Sequence, residues 1–202
     1  MPDIKRPVLF CGENPALTLY APASERVVAA ASYWHCTYSA HGSGHALIFW
    51  QASPDAASSA PLSNGIYTDN LPLAHMLAET LTQFFPEFQA IPVTTLPYLP
   101  AQCRHESDGA QRYTVSCTTA QTSLRLEWAD PLDHKQISWP QFPAGPQAFD
   151  LTTVICPCRR ATITLNGAPL LGEVHTSEAN GWPASSAFLA FAETWVGPVA
   201  SS

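Results

Sequence analysis

Nineteen prolines are spread along the 202 residues, and they constrain the fold more than any other feature of the sequence. Proline lacks a backbone N–H and clashes inside a helix, so this spacing disfavours long helices and favours short strands joined by turns. Hydrophobic residues make up 46% of the chain and charged residues only 12%, about half the usual charged share. Length and apolar content suffice for one sizeable core, and we predict a single domain over residues 1–202.

Segments of alternating hydrophobicity predict the strands. After residue 100, "QRYTVSC", "TSLRLEW" and "RRATITL" each place apolar side chains on one face, and the Asn166-Gly167 dipeptide that follows is a strong two-residue hairpin signal. Earlier, "VVAAASYWHCTYS" and "HALIFWQAS" are two strands joined by the glycine-bearing "AHGSGH". With "SSAFLAFAETWV" as the last strand, about nine or ten short strands are expected. Because no βαβ alternation occurs, we predict a mostly antiparallel barrel or strongly curved sheet.

One helix is expected, packed against the strands. Apolar residues recur at helical spacing over roughly 70–85, with Asp69 or Asn70 as N-cap and Pro86 as the stop. Residues 1–26 contain four prolines and are predicted to form an irregular lead-in. Residues 53–65 are small, polar and proline-bearing, which predicts a flexible loop.

Charge and hydropathy limit which binding partners and which cellular compartment are expected. The formal charge is −7 and basic runs are absent, which makes nucleic acid a poor partner. No window approaches eighteen apolar residues, so no membrane span is expected. The N-terminal residues lack an apolar run of signal-peptide length, which favours the cytoplasm. The six cysteines are then expected to be reduced, and Cys156 and Cys158 are interpreted as packed thiols in preference to a redox pair or half a metal site.

Three histidines fall within Tyr33–Gln51, a segment without charged residues. His41 and His45 flank Gly42-Ser43-Gly44, so a hairpin would bring this pair close enough to share a metal ion. His35 lies six residues before His41, ~20 Å along an extended strand, and joins them only if the chain bends back. The favoured interpretation is two exposed turn histidines and one strand histidine. No metal or other cofactor is therefore predicted, and His35 is an acid or base candidate.

Two further groups are catalytic candidates. Glu193 shares its alternation face with large apolar residues, so it is either buried inside the sheet or exposed at the rim. Arg104 faces inward if the turn at Asp108-Gly109 has two residues, whereas a three-residue turn places Cys103 and His105 inward instead. The sequence leaves both alternatives open.

The aromatic content and low charge favour an apolar, aromatic-lined cavity that binds a small apolar or amphipathic molecule. Trp34, Tyr113, Trp128 and His105 are the predicted binding residues. The alternative is a cofactor-independent lyase, isomerase or hydratase in which Glu193 or His35 acts as acid or base and Arg104 neutralises an anionic substrate. A structural protein that forms homo-oligomers through its low-charge surface is the third possibility.

Motifs for other chemistries are absent from the sequence, which contains no G-x-S-x-G, no phosphate-binding glycine loop and no dinucleotide fingerprint. The run "NGIYTDNLPLAHMLAETLTQFFPEF" followed by alternating strands resembles the layout of acetoacetate decarboxylase-like proteins. In that family a catalytic lysine follows the Phe-Pro, whereas here Glu87 follows Phe85-Pro86. The resemblance covers about a tenth of the chain, and the chain lacks the family's catalytic lysine at the corresponding position. A lipocalin-like barrel is an equally loose analogy.

Overall fold

The computed structural model describes residues 6–53, 63–109 and 111–197. Strands dominate these residues, as the alternating segments predict. The first half of the chain contributes β1 (Val8–Glu13), β2 (Ala16–Tyr20), β3 (Val27–Tyr38), β4 (Gly44–Gln51), β5 (Gly65–Thr68), α1 (Leu71–Thr80) and β6 (Tyr98–Pro100). Two strands therefore lie in the segment predicted to be an irregular lead-in. Of the predicted loop at 53–65, residues 54–62 lie outside the described residues.

The second half of the chain is made of strands joined by short turns. These are β7 (Gln102–Ser107), β8 (Arg112–Thr118), β9 (Ser123–Pro131), β10 (Lys135–Ala144), β11 (Gln147–Leu165), β12 (Ala168–Pro169), β13 (Thr176–Ala179), β14 (Trp182–Ser185) and β15 (Ala187–Val196). The predicted hairpin at Asn166-Gly167 is present, with φ values of 50° and 83° that suit a type I′ turn.

Thirteen strands form one sheet in the order β6-β5-β4-β3-β1-β15-β11-β9-β8-β7, with β2, β10 and β12 attached to the side of this path. β5 and β6 pair parallel, and the other described pairings are antiparallel. The sheet curves until β7, at one end of the path, contacts β4 and β5 near the other end. The prediction of a mostly β fold with a strongly curved sheet and one packed helix is therefore confirmed.

The helix begins where the sequence predicts. Asn70 is the N-cap, and its side chain accepts a hydrogen bond of 3.1 Å from the backbone N–H of Leu73. The α-helix ends at Thr80, earlier than the predicted 85, and a 3-10 turn covers Thr82–Phe84. In this turn the Thr82 hydroxyl accepts a hydrogen bond from the indole of Trp34, which fixes the turn against the sheet. No helix in the described part of the chain is long and apolar enough to cross a membrane.

Side-chain alternation along β3 divides the core in two. Trp34 points to the convex side, where α1 and the 3-10 turns pack over it. Tyr33 points to the concave side, into a second core that β7, β8, β9 and β11 close. Successive strand residues point to opposite faces, so His35 follows Tyr33 to the concave side. This alternation decides which histidines can meet.

One expectation about the cysteines is wrong. Cys103 and Cys117 are not reduced thiols, because they form a disulfide between β7 and β8. The two residues are directly opposite in the register, with Cα atoms 4.2 Å apart, a separation at which a cross-strand disulfide forms. Cys11, Cys36, Cys156 and Cys158 are free thiols.

Candidate metal centre

Three histidines from three strands converge at one end of the concave core. One ring nitrogen each of His35, His45 and His105 lies within 4.8 Å of the other two. The rings of His35 and His45 stack with centroids 5.0 Å apart, and the ring of His105 lies 4.5 Å from that of His35. All three side chains are partly buried. This is the only such cluster of three or more metal-ligating side chains among the described residues.

The hairpin between β3 and β4 brings the first two histidines together. Its turn covers residues 39–43, and the register pairs His35 directly with His45. The sequence predicts a turn around Ser43, which would make His41 and His45 neighbours. In the structure His41 is an exposed turn residue, and the chain bends back so that His35 meets His45. The sequence predicts that ~20 Å of extended strand separates His35 from the turn histidines. His35 nevertheless lies opposite His45, because the hairpin folds β4 back along β3.

The disulfide sets the position of the third histidine. Cys103 pairs with Cys117, so His105 pairs with Val115 two residues further along β7. Of the two registers left open by the sequence, the structure has the one that places Cys103 and His105 on the concave side. Arg104 lies on the opposite face of β7 and is exposed.

Asp69 holds His45 at two points. Its Oδ1 accepts a hydrogen bond of 2.6 Å from the backbone N–H of His45, and its Oδ2 lies 2.6 Å from the ring Nδ1. The next residue, Asn70, donates from its side chain to the carbonyl oxygens of His41 and Ser43. A Cβ at Gly44 would lie 2.7 Å from Asp69 Oδ1, so glycine allows this close approach. The Asp-Asn pair thus connects the start of α1 to the hairpin.

Glu13 stands beside His35. Its Oε2 lies 3.9 Å from His35 Nδ1 and accepts a hydrogen bond of 2.6 Å from the hydroxyl of Tyr113. The preceding residue, Gly12, has φ of 158°, and a Cβ there would lie 1.9 Å from the carbonyl oxygen of His35. Only glycine lets β1 cross this close to β3 and carry Glu13 to the histidine. In the third histidine of the cluster, His105, Nδ1 lies 3.4 Å from the Tyr33 hydroxyl.

Each imidazole therefore has an oxygen atom near its Nδ1. Metal-binding histidines almost always hydrogen-bond through their second nitrogen, which fixes ring orientation and tautomer, and the 2.6 Å contact between His45 and Asp69 is of this kind. His35 Nδ1 is buried and makes no hydrogen bond within the usual limits. Burial, and then the neighbouring His105 and His45, lower the pKa of His35 below its ordinary value of 6.5. The lowered pKa favours the neutral imidazole, which is the form that binds metal.

Two buried tyrosines close the inner side of the cluster. Burial raises the pKa of Tyr33 and of Tyr113, and the carboxylate of Glu13 adds to both effects. The phenols therefore remain protonated, and the hydroxyl of Tyr113 donates to Glu13. On the outer side, an open pocket of about 640 Å³ borders His35, His45 and Asp69. The tyrosines thus lie on the inner side of the cluster, and the pocket reaches two of its three histidines, His35 and His45.

The other predicted site residues lie elsewhere. Glu193 is buried on the convex side, where its Oε1 accepts a hydrogen bond of 2.6 Å from the indole of Trp195. Trp34 and Trp128 are fully buried in the two cores, with their indole N–H groups bonded to Thr82 and to the carbonyl of Ala16. Of the predicted groups, the structure brings His35, His45, His105 and Tyr113 together, and it separates Glu193, Arg104, His41, Trp34 and Trp128 from them.

Sequence reasoning misses Glu13, Tyr33 and Asp69 as members of the site. It indicates Asp69 only as a helix cap. A usable signal exists in the β3–β4 hairpin, because pairing Tyr33 with Leu47 puts His35 opposite His45. No local signal connects Glu13 to this hairpin.

Comparison of the chain with protein-family models, curated proteins and solved structures finds no match. Fold and site together describe a curved, mostly antiparallel sheet that carries a three-histidine cluster at one end of its concave core.

Replacing Asp69 with asparagine tests the contact between the Asp69 carboxylate and the His45 ring. The amide keeps an oxygen for the backbone N–H of His45 but removes the carboxylate from the ring nitrogen. Three histidines are a ligand set typical of zinc. We expect Asp69→Asn to lower the affinity of the cluster for zinc about 10–100-fold, because carboxylates that hydrogen-bond a ligating histidine orient it and raise its basicity. Competition with a chromophoric zinc chelator measures the change. The matched control is Glu79→Gln, which removes the carboxylate 3.1 Å from the exposed His75 and should leave zinc affinity unchanged. Equal affinity in Asp69→Asn and wild type would contradict the assigned contact.

The disulfide provides a second test. β7 ends the main path of the sheet, and Cys103–Cys117 fixes its register to β8 two residues before His105. We expect the double substitution Cys103→Ser and Cys117→Ser to weaken zinc binding roughly tenfold, because a less rigid ligand costs affinity. The same chelator competition applies, with Cys11→Ser as control because this thiol is free. Unchanged affinity in the double variant would show that β7 holds His105 without the disulfide.

Proposed function

We propose that the protein is a metal-dependent enzyme whose centre is one divalent transition-metal ion, zinc foremost, held by His35, His45 and His105. The observation that carries this proposal is the mutual approach of three ring nitrogens within 4.8 Å. Three separate strands supply them, so the cluster is a product of the fold and not of one local histidine-rich segment. Three protein ligands with an open fourth position are typical of catalytic zinc, whereas structural zinc is enclosed by four.

The ligand chemistry supports zinc and its neighbours in the first transition series. Imidazole suits zinc, copper, iron and nickel, whereas calcium and magnesium prefer oxygen ligands. Asp69 lies against the ring of His45 and Glu13 lies near the ring of His35. Each carboxylate can therefore orient one of the proposed histidine ligands. Since Asp69 engages Nδ1 of His45, the Nε2 atom of this ring is free to bind the metal.

The open pocket beside His35 and His45 supports a reaction at the metal. A zinc ion with one open position lowers the pKa of bound water toward 7 and polarises carbonyl oxygens. The class of activity that fits is hydrolysis or hydration of a small polar molecule, with metal-bound hydroxide as nucleophile.

Equilibrium dialysis of the full chain against zinc tests the proposal. We expect one zinc ion per chain in wild type and in His41→Ala, whose histidine lies in the same hairpin but is exposed. The zinc-loaded protein should hydrolyse an activated ester such as p-nitrophenyl acetate, and the rate should rise with pH as the bound water loses a proton. Zinc binding without such activity would reduce the proposal to a binding site, and absence of stoichiometric zinc would overturn it.

The binding of a small apolar molecule, the leading expectation from the sequence, stays a prediction. So do the homo-oligomer and the cytoplasmic location. The predicted aromatic residues are fully packed in the described structure, and Tyr113 is tied to the metal cluster through Glu13. These packing contacts favour the histidine cluster over an apolar cavity as the functional site.

A further inference from the structure

A second group of metal-binding side chains lies on β11, away from the histidines. The tripeptide Cys156-Pro157-Cys158 is extended within the strand, so the two thiols lie on the same face. Cys156 is 0% exposed and Cys158 is 1% exposed. Neither forms a disulfide, whereas Cys103 and Cys117 do. The protein therefore keeps two thiols side by side in its concave core.

The thiols have few other polar partners. The thiol of Cys158 donates to the carbonyl oxygen of Cys156 at 3.6 Å. The neighbouring thiol lowers the pKa of Cys156, and the neighbouring thiol together with burial raises the pKa of Cys158. Pro157 between them has no N–H, so the backbone there cannot donate to either sulfur.

A small pocket of about 40 Å³ borders both cysteines. Trp128, Leu189 and Phe191 form its apolar wall, and Arg112 and His134 also border it. This volume holds a single ion or one water molecule but no organic ligand. An apolar wall with two sulfur atoms suits a soft ion that sheds its water easily, and it does not suit a hard, strongly hydrated one.

The pocket is separate from the histidine cluster. The Tyr113 ring packs edge-on against Trp128 and Phe191, with centroid distances of 6.0 and 5.8 Å. Its hydroxyl reaches the other way, to Glu13 beside His35. Tyr113 thus forms the wall between the two groups of ligands, and a metal ion at one cannot be shared with the other.

We propose that Cys156 and Cys158 form a second metal site, selective for a monovalent soft d¹⁰ ion, copper(I), in two-coordinate geometry. Two sulfur ligands are too few for zinc, which takes four ligands in structural sites, but thiolates are the ligands that select copper(I). Binding releases one proton from each thiol and leaves a bis-thiolate complex with a net charge of −1. No electron is transferred, because copper enters and stays as copper(I).

Anaerobic competition between the full chain and a coloured copper(I) chelator tests this site. Copper(I) is supplied in its reduced form, and the wild-type chain should withdraw one equivalent. Cys156→Ser and Cys158→Ser should each weaken retention at least about 100-fold, since each removes half of the ligand set. Cys36→Ser is the matched control, because Cys36 is a free thiol that is also buried, and it should retain copper(I) as wild type does. His45→Ala should also retain it, which separates this site from the histidine centre.

X-ray absorption at the copper edge of the wild-type complex keeps the test independent of whether the serine variants fold. Two sulfur neighbours and no imidazole nitrogen are expected. A nitrogen shell, failure to withdraw copper from the chelator, or equal retention by folded Cys156→Ser would each overturn the second site. None of these results bears on zinc at the histidines.

Discussion

His45→Ala is expected to reduce zinc affinity by a factor on the order of 100 or more and to remove the zinc-dependent activity. His45 is central to the cluster, because it pairs with His35 across β3 and β4 and contacts both oxygens of Asp69. Alanine removes one of three ligands and leaves a two-histidine site that competes poorly with water. Isothermal titration with zinc measures the affinity, and the same samples serve for ester hydrolysis.

His41→Ala is the matched control for this experiment. His41 lies in the same hairpin, in the turn, and its backbone carbonyl rather than its ring contacts Asn70. Its removal should change zinc affinity by less than about threefold, within the range of exposed substitutions. If the two alanine variants bound zinc equally well, His45 would not be a ligand and the proposed centre would be wrong.

Glu193→Gln is expected to change how stability depends on pH. Burial raises the pKa of Glu193 from its ordinary value of 4.5 to about 7, although hydrogen bonds from Trp195, Thr153 and Asn14 act in the opposite direction. Between these two values the folded state holds a proton that the unfolded chain releases. The free energy of unfolding of the wild type therefore falls as pH rises from 4.5 to about 7, by a total of ~3 kcal/mol.

Glutamine cannot ionise and keeps an oxygen that accepts from Trp195, so the variant lacks this decline. Denaturant unfolding of wild type and variant should give similar stability near about pH 4, and a variant more stable by up to ~3 kcal/mol near about pH 8. Glu106→Gln on the exposed face of β7 is the control and should follow the wild-type curve. A constant difference between Glu193→Gln and wild type at all pH values would show that Glu193 does not titrate with a raised pKa.

The alternating segments predict the fold well because strand periodicity and turn residues are local properties of the sequence. "QRYTVSC" and "TSLRLEW" form β8 and β9, and Asn70 caps the helix. The expected count of nine or ten strands is lower than the fifteen described, because short strands such as β12 carry no periodic signal. The helix ends early because a 3-10 turn, anchored by Trp34, replaces its last predicted turn.

The site is harder to predict because it depends on register and on distant contacts. Moving the centre of one hairpin by about three residues exchanges His41 for His35 as the partner of His45. The register of β7 follows from a disulfide, whereas the N-terminal sequence favours a compartment in which cysteines are reduced. Glu13 reaches His35 only because Gly12 allows β1 to cross close to β3. Residues far apart in the chain determine each of these positions.

X-ray absorption at the zinc edge of the wild-type protein, loaded with one equivalent of zinc, tests the central claim most directly. We predict three imidazole nitrogens and one oxygen from water, with no sulfur in the shell. Cys36 is the thiol that borders the pocket beside His35, so a sulfur neighbour would point to another set of ligands. A shell with sulfur, a shell with fewer than three histidines, or failure to retain zinc would contradict the three-histidine centre.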